Sequence, residues 1–324
     1  MRGFLFFGAL CAVSVPTFAG DVNPDKIEKL DSVIVSASRA GENTPVTFTN
    51  LNKEELRKVN PMNSLVQALS LQPSVVTSLE GGTGLGYSKM TVRGVKGSQI
   101  NVTLNGITLN DAESQEVFWV NIPALTSLIN SVQLQRGLGT SSNGPGAFGA
   151  SINMSTASVG TSPFGYVNVA AGSYNTMTMT ASAGTGLTKS GLYFSAAYSK
   201  DYTDGYIRNA KAKVQSAFAA LGWLKGNNSL KLTYLMGDQH SGITWNGIDP
   251  QMYKTNRKYN STGEFYDADG GVHYYDNDTD NYTQHHIQLN YTHEFANSLT
   301  WSTTFNYTRG DGYYENYKAG KKFS

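Results

Sequence analysis

This 324-residue chain has one cysteine, only nine prolines and a charged fraction of only 15%. Cys11 lies inside an apolar run near the N-terminus, so once that run is removed no thiol remains. Disulfides, thiolate metal sites and cysteine nucleophiles are then excluded. The five histidines all fall at or after His240, which leaves the earlier part of the chain without histidine for a transition-metal site. Charge of one sign is also missing. Lys+Arg number 25 against 24 Asp+Glu, and loss of Arg2 with the leader balances them. No general field draws the chain onto nucleic acid or anionic lipid. The apolar run at residues 4–15 is shorter than the ~20 residues a membrane-spanning helix needs. A negative mean hydropathy argues against a helical membrane protein, but not against a membrane barrel, whose lipid-facing residues alternate with polar ones.

The run behind Arg2 has the form of a secretion signal, and Thr17 and Ala19 supply the small residues that place cleavage between Ala19 and Gly20. Leu10, ahead of Cys11, is too bulky for lipoprotein processing. Residues 1–19 therefore read as a signal peptide and 20–50 as a polar leader. Within that leader Asp31-Ser32-Val33-Ile34-Val35 is a short β-prone run. Such a segment serves either as an extended peptide that adds to a partner's sheet edge or as the first strand of the next domain.

Glycine (34), tyrosine (19) and phenylalanine (14) are plentiful, which suits turns and aromatic-studded strands. Residues 51–158 read as a compact mixed unit. Asn52 with Glu55 is a capping-box pattern, and Asn60-Pro61 opens a second short helix with Leu65, Ala68 and Leu69 on one face. Strands are expected at 89–95, 100–104 and 132–136, with one helical turn at 123–128. Gly144 to Gly149 fits G-x-G-x-x-G, but Pro145 sits inside the turn and the residues from Ala150 to Met154 are strand-like. A dinucleotide turn needs a helix there.

From residue 159 onward the pattern is period two. Seven strands are expected, near 164–171, 174–183, 191–199, 214–224, 229–235, 285–294 and 299–307. In the second, Met177, Met179, Ala181 and Ala183 oppose Thr176, Thr178, Thr180 and Ser182. In the seventh, Trp301, Phe305 and Tyr307 oppose Thr300, Ser302, Thr304 and Asn306. A soluble sandwich sets core against water in this way, and an outer-membrane barrel sets lipid against a polar lumen. Connections favour the barrel: short ones at 184–190, 225–228 and 296–298 alternate with longer ones at 200–213 and 240–284.

With these segments placed, the chain resembles the TonB-dependent outer-membrane receptors, in which a plug domain fills a large barrel. Asp31 to Val35 looks like the family's TonB box. Met90-Thr91-Val92-Arg93-Gly94 and Val102-Thr103-Leu104-Asn105-Gly106-Ile107 resemble its central plug strands. Val132-Gln133-Leu134-Gln135-Arg136-Gly137 and the run from Gly144 to Ile152 resemble the segments that end the plug. The resemblance implies an α+β plug followed by antiparallel transmembrane β-barrel strands, about seven of a larger barrel. Seven strands do not close around such a plug, so the chain is expected to be the front part of a longer receptor. It implies active, non-enzymatic uptake of a scarce ligand, an iron-siderophore or similar chelate, across the outer membrane of a Gram-negative bacterium. The partners implied are the periplasmic domain of TonB, outer-membrane lipid and the small-molecule or metal-chelate ligand, with no cofactor and no nucleic acid. The alternatives are a passive barrel or adhesin, or a receptor fragment without function.

Site expectations follow. Asp31, Ser32, Val33, Ile34 and Val35 would bind TonB; Arg93 and Arg136 would hold the plug to barrel carboxylates; Gly94, Gly106, Gly137, Gly146 and Gly149 would form plug turns. Trp245, Tyr266 and Tyr274, in the long aromatic loop, are ligand-contact candidates. Asp276, Asp278 and Asp280 share the two-residue spacing that opens a calcium loop, although Asn281 stands where its glycine belongs. A solvated loop tip is the other reading of the same residues.

Overall fold

The computed structural model describes residues 10–12, 39–41, 43–59, 64–138, 148–156, 160, 162–296 and 299–318. The expected TonB-binding run at 31–35 and Gly146 lie outside them. The first element, β1 (Leu10–Ala12), belongs to the expected signal and pairs antiparallel with residues 166–168 of the first strand of a large sheet. That strand is an edge, whose free N–H and C=O groups accept any extended segment.

An inner unit begins with β2 (Thr47–Asn52), α1 (Lys53–Val59) and α2 (Leu65–Leu69). The capping box forms as expected: Asn52 N donates to Glu55 Oε2 at 2.8 Å and Glu55 N donates to Asn52 Oδ1 at 3.0 Å. Leu56 is thereby turned into the core. In α2, capped by Ser64, Leu65, Val66, Ala68 and Leu69 are all buried. Next come β3 (Val75–Leu79), β4 (Ser88–Val92), β5 (Ile100–Leu104), β6 (Ile107–Thr108), α3 (Leu125–Leu128), β7 (Ile129–Arg136) and β8 (Ala150–Thr156). Five of these strands form one sheet in the order β2-β7-β8-β5-β6, with β5 and β8 parallel, and β3 pairs with β4.

Two tight turns shape this unit. Asn105 and Gly106 both have positive φ, 52° and 81°, so a two-residue hairpin of the type I′ kind joins β5 to β6. Arg93 and Gly94, at 52° and 77°, repeat the device between Val92 and Val95. The strand expected at 89–95 therefore ends at Val92, with Arg93 on the turn. The sequence reading also leaves residues 47–50 in the leader, whereas the structure pairs Thr47–Asn52 with β7 from Arg136 to Ser131. Threonine and asparagine at an exposed edge carry too little apolar alternation to mark a strand.

Around this unit curves a sheet of seven consecutive antiparallel strands: β9 (Phe164–Gly172), β10 (Thr176–Gly184), β11 (Leu192–Thr203), β12 (Ala212–Lys225), β13 (Asn228–Gly242), β16 (Thr279–Ala296) and β17 (Leu299–Glu315). All seven expected strands are present, most of them longer than expected, and Tyr174 lies in the β9–β10 turn rather than in β10. The long loop is structured too, since it carries α4 (Pro250–Thr255) and a hairpin of β14 (Glu264–Tyr266) with β15 (Val272–Tyr274). No helix among the described residues is long and apolar enough to cross a membrane.

Which face points where is decided by β10. Met177 and Met179 are 53% and 56% exposed, while Thr176, Thr178 and Thr180 on the opposite face are 3%, 1% and 1% exposed. Trp301, Phe305 and Tyr307 of β17 are likewise on the outer face. A soluble sandwich would bury these apolar rows. This wall displays them, as a sheet whose outer solvent is lipid does.

Candidate functional site

The inner unit is seated against the wall through contacts that grow out of its turns. Asn105, held in left-handed backbone by its hairpin, donates through Nδ2 to Gln288 Oε1 of β16 at 3.2 Å. Gln288 Nε2 in turn donates to Leu104 O at 3.3 Å. On β13, a Cβ added at Gly237 would lie 2.1 Å from Asn121 O, so only glycine lets the inner segment come this close to the wall. At the opposite end of the wall, the Arg57 guanidinium sits 3.9 Å over the ring of Tyr166, tying α1 to β9.

At the long-loop end, the loop 80–87 reaches the wall. Tyr206 N donates to Gly81 O at 2.8 Å, and Gly82 has φ 81° with no room for a side chain beside Tyr206. Tyr87 donates its hydroxyl to Asp280 Oδ2, which also accepts Gln239 Nε2 at 2.7 Å. Burial first, and this bond to Asp280 second, hold the Tyr87 hydroxyl well above its ordinary value, so it acts as a neutral donor. The Tyr87 ring meets Trp245 edge-on at 5.0 Å, and Trp245 meets Tyr314 of β17 at 6.2 Å.

Beside this tie lies a cavity of about 360 Å³ between inner unit and wall, lined among others by Tyr87, Asp111, Glu113, Glu116, Phe118, Asp280 and Tyr282. The 110–118 loop is fixed by Asn110, whose Oδ1 accepts Val102 N at 2.8 Å and whose Nδ2 donates to Ile100 O at 2.9 Å. Asp111 accepts Ser114 N at 2.8 Å and Glu113 N at 3.0 Å, and these amides, Ser114's first, keep its carboxyl below the usual range. Among the described residues the cleft lining contains four carboxylates and no lysine or arginine.

Of the loop residues singled out from sequence, Trp245 stands beside the cleft through Tyr87. Tyr274 lies under the Arg208 guanidinium at 3.7 Å and so packs the loop on itself. Tyr266 is exposed on the β14–β15 hairpin, bonded to Glu264 at 2.8 Å. The three aspartates do not converge. Asp276 is exposed; Asp278 is buried and accepts Tyr317 N at 2.7 Å; Asp280 serves Tyr87 and Gln239. Among the described residues no group of three or more His, Cys, Asp or Glu side chains is disposed to hold a metal ion, and each of these three aspartates has its own surroundings. Two-residue spacing entering a strand sends alternate side chains along an extended chain instead of around an ion.

Arg93 and Arg136 lie close together. Arg93 donates to Thr47 Oγ1 at 3.0 Å; buried Arg136 donates to Pro73 O at 2.9 Å and Thr49 Oγ1 at 2.8 Å. Burial, and then the charge of Arg93, lower the pKa of Arg136. Neither forms a salt bridge among the described residues. Gly94, Gly106 and Gly137 all have positive φ, whereas Gly149 is needed for space, since a Cβ there would lie 2.3 Å from Val95. Sequence reasoning missed Tyr87, Asp111, Glu113 and Glu116. The glycines around Tyr87 and the Asp-x-x-Ser turn at Asp111 were the available signals.

Residues 40–151 match the TonB-dependent Receptor Plug Domain family. No curated protein matches the chain. Among solved structures, the ferric-catecholate import receptor Fiu of E. coli K12 is 19% identical, covering 87% of this chain and 41% of that one, with a TM-score of 0.63. The unliganded ferric citrate transporter FecA is 15% identical over 87% of this chain and 42% of that one, at 0.66. The siderophore receptor PiuA of Acinetobacter baumannii is 19% identical over 83% and 37%, at 0.62. The chain thus spans about two-fifths of the length of the structures it matches, and at these identities the likeness is one of fold. They are receptors and transporters, not enzymes. Residues 40–151 are therefore a TonB-dependent receptor plug domain, set inside antiparallel strands with the fold of part of a TonB-dependent outer-membrane receptor barrel.

Proposed function

We propose that this chain supplies the plug and part of the barrel wall of a receptor for active uptake of a scarce metal chelate across the outer membrane of a Gram-negative bacterium. One observation carries the reading. A plug with its own sheets and short helices fills the mostly polar concave side of a wall whose apolar side faces outward, which is an obstruction that work must move rather than an open pore. Residues 31–35 are the segment on which TonB pulls, and the cleft at Tyr87, Asp111 and Asp280 is where the ligand first meets plug and wall together. Its carboxylates favour chelates without net negative charge. Arg93 and Arg136, clustered without an acid, await a carboxylate of the closed wall. A partner there would offset two adjacent guanidinium charges and lock the plug.

The test is binding of a peptide spanning residues 25–40 to the periplasmic domain of TonB, beside a Val33→Pro version that lacks a ladder N–H. Binding of the first alone supports energy coupling; binding of neither sinks it.

A further inference from the structure

The chain as a whole is close to neutral, but the outer face of the wall carries a local excess of positive charge at one corner. Lys200 of β11 pairs across the sheet with the outward Met179, and Lys213 of β12 pairs with Tyr202, the next outward residue on β11. Lys211, just ahead of β12, joins them with its Nζ 5.8 Å from the centre of the Tyr202 ring. All three lysines are exposed, and none forms a salt bridge among the described residues. The neighbouring acids are engaged by neutral donors. Asp204 accepts the Tyr202 hydroxyl, and Asp238, opposite Gln215, accepts Gln215 Nε2 at 2.9 Å and Thr283 Oγ1 at 2.6 Å. Arg309 of β17, also on the outer face, is already paired with Asp311 at 2.9 Å.

Strand geometry sets the height of these lysines on the wall. Along β11 the outward residues are Leu192, Phe194, Ala196 and Tyr198, and then Lys200. From Leu192 to Lys200 is about 26 Å along the strand, or roughly 20 Å of height at the usual barrel tilt, which is close to the height of the apolar band of such a wall. The lysines thus stand at the rim of that band, on the side of the long loop that carries α4 and the β14–β15 hairpin. Below Lys200 the outer face is indented. Gly165, Val167, Ala181, Ala183, Ala196 and Tyr198 line an apolar groove of about 490 Å³ across β9, β10 and β11. Tyr198 at its upper end is two residues from Lys200 on the same strand, so charge and groove are continuous.

We propose that this corner binds an outer-leaflet lipid with a phosphate-bearing head, the head held by Lys200, Lys211 and Lys213 and an acyl chain laid in the groove below them. An ammonium takes a phosphate oxygen as a point charge, and three exposed ammonium groups on neighbouring strands leave the head free to settle among them. Each lysine at the membrane surface is worth about fivefold in affinity for an anionic lipid. A charged head directly above an apolar tail is the shape of a lipid and not of a free phosphate. The inference rests on the outer face of the wall lying in lipid; it needs neither TonB nor a chelate.

With the full chain in neutral detergent, native mass spectrometry would measure binding of dioleoyl phosphatidic acid against dioleoyl phosphatidylcholine, which has the same tails and no net charge. Inorganic phosphate would be titrated as the head alone. Phosphatidic acid should bind about a hundredfold more tightly than phosphatidylcholine, and Lys200→Gln with Lys213→Gln should remove roughly 25-fold of that difference while leaving phosphatidylcholine unchanged. Ala196→Trp, which fills the groove, should weaken both lipids alike. The lysine variants lie on the exposed rim and take nothing from a core, so they keep the test open if Ala196→Trp fails to fold. Lys189→Gln with Lys225→Gln, at the short-turn end of the wall, should change nothing. An equal loss in that second pair, or no preference for phosphatidic acid, overturns the site. Inorganic phosphate binding as tightly as phosphatidic acid overturns the lipid as its occupant.

Discussion

The plug and the barrel wall place apolar side chains by opposite rules. In the plug, Leu56, Leu104, Leu134 and Ile152 are buried and form one core with the short helices. In the wall, Met179, Phe305 and Tyr307 point away from the protein, while Thr178 and Thr233 are buried and Gln288 is buried against the plug. The plug folds by removing hydrocarbon from water. The wall is made for a solvent that is itself hydrocarbon, so its polar side is the side that meets protein. Where the two regions touch, the wall borrows the plug's rule: Phe218, Ala220 and Leu235 turn inward and join the plug core.

The largest effect that would break this contrast lies in the plug. Leu104→Ala should cost about 2–5 kcal/mol in denaturant unfolding, because Leu104 is closed in on every side. Met179→Arg, on the outer face of β10, should cost about 2–4 kcal/mol when folding is measured into lipid vesicles. No cost in lipid would assign that face to water and remove the distinction between the regions. Gln288→Ala sharpens the contrast at the join. It leaves the amide of Asn105 without its wall partner, at about 1–3 kcal/mol, and amide exchange in β5 and β6 should quicken while the wall strands stay protected.

The smallest expected effect is a pH dependence confined to the plug. Burial, and then the neighbouring Arg57 charge, push the Lys53 ammonium down to about 8 from 10.5. Between those values the unfolded chain keeps a proton that the folded chain has lost, so stability rises with pH across that window and is not gained below it. Lys53→Gln should flatten the slope, by on the order of 1 kcal/mol given the residue's remaining exposure. Equilibrium unfolding between pH 7.5 and 10.5 would show it; an unchanged slope would place its origin elsewhere.

Much of this architecture is legible in the chain. The Asn52 and Glu55 pair marks a helix start because its two hydrogen bonds need only local geometry. All seven wall strands are visible because period-two alternation is a property of the extended backbone. The edge strand β2 is not, since polar residues at an exposed edge have no alternation to show. Arg93 reads as strand and sits in a turn, because Arg-Gly adopts left-handed backbone here only where Val92 and Val95 pair. The cleft was the least legible part. Tyr87 and Asp280 are far apart in sequence, and nothing local to either says they meet.

The sequence by itself determined that each wall strand has one apolar and one polar face, that the early helices start where they do, and that a single cysteine, Cys11, leaves no pair for an intramolecular disulfide. Only the tertiary structure decided which face turns inward, where Tyr87 finds Asp280, and that the aspartates from Asp276 to Asp280 part company. Alternation is fixed by bond geometry within a strand, whereas inside and outside exist only once the sheet curves around the plug.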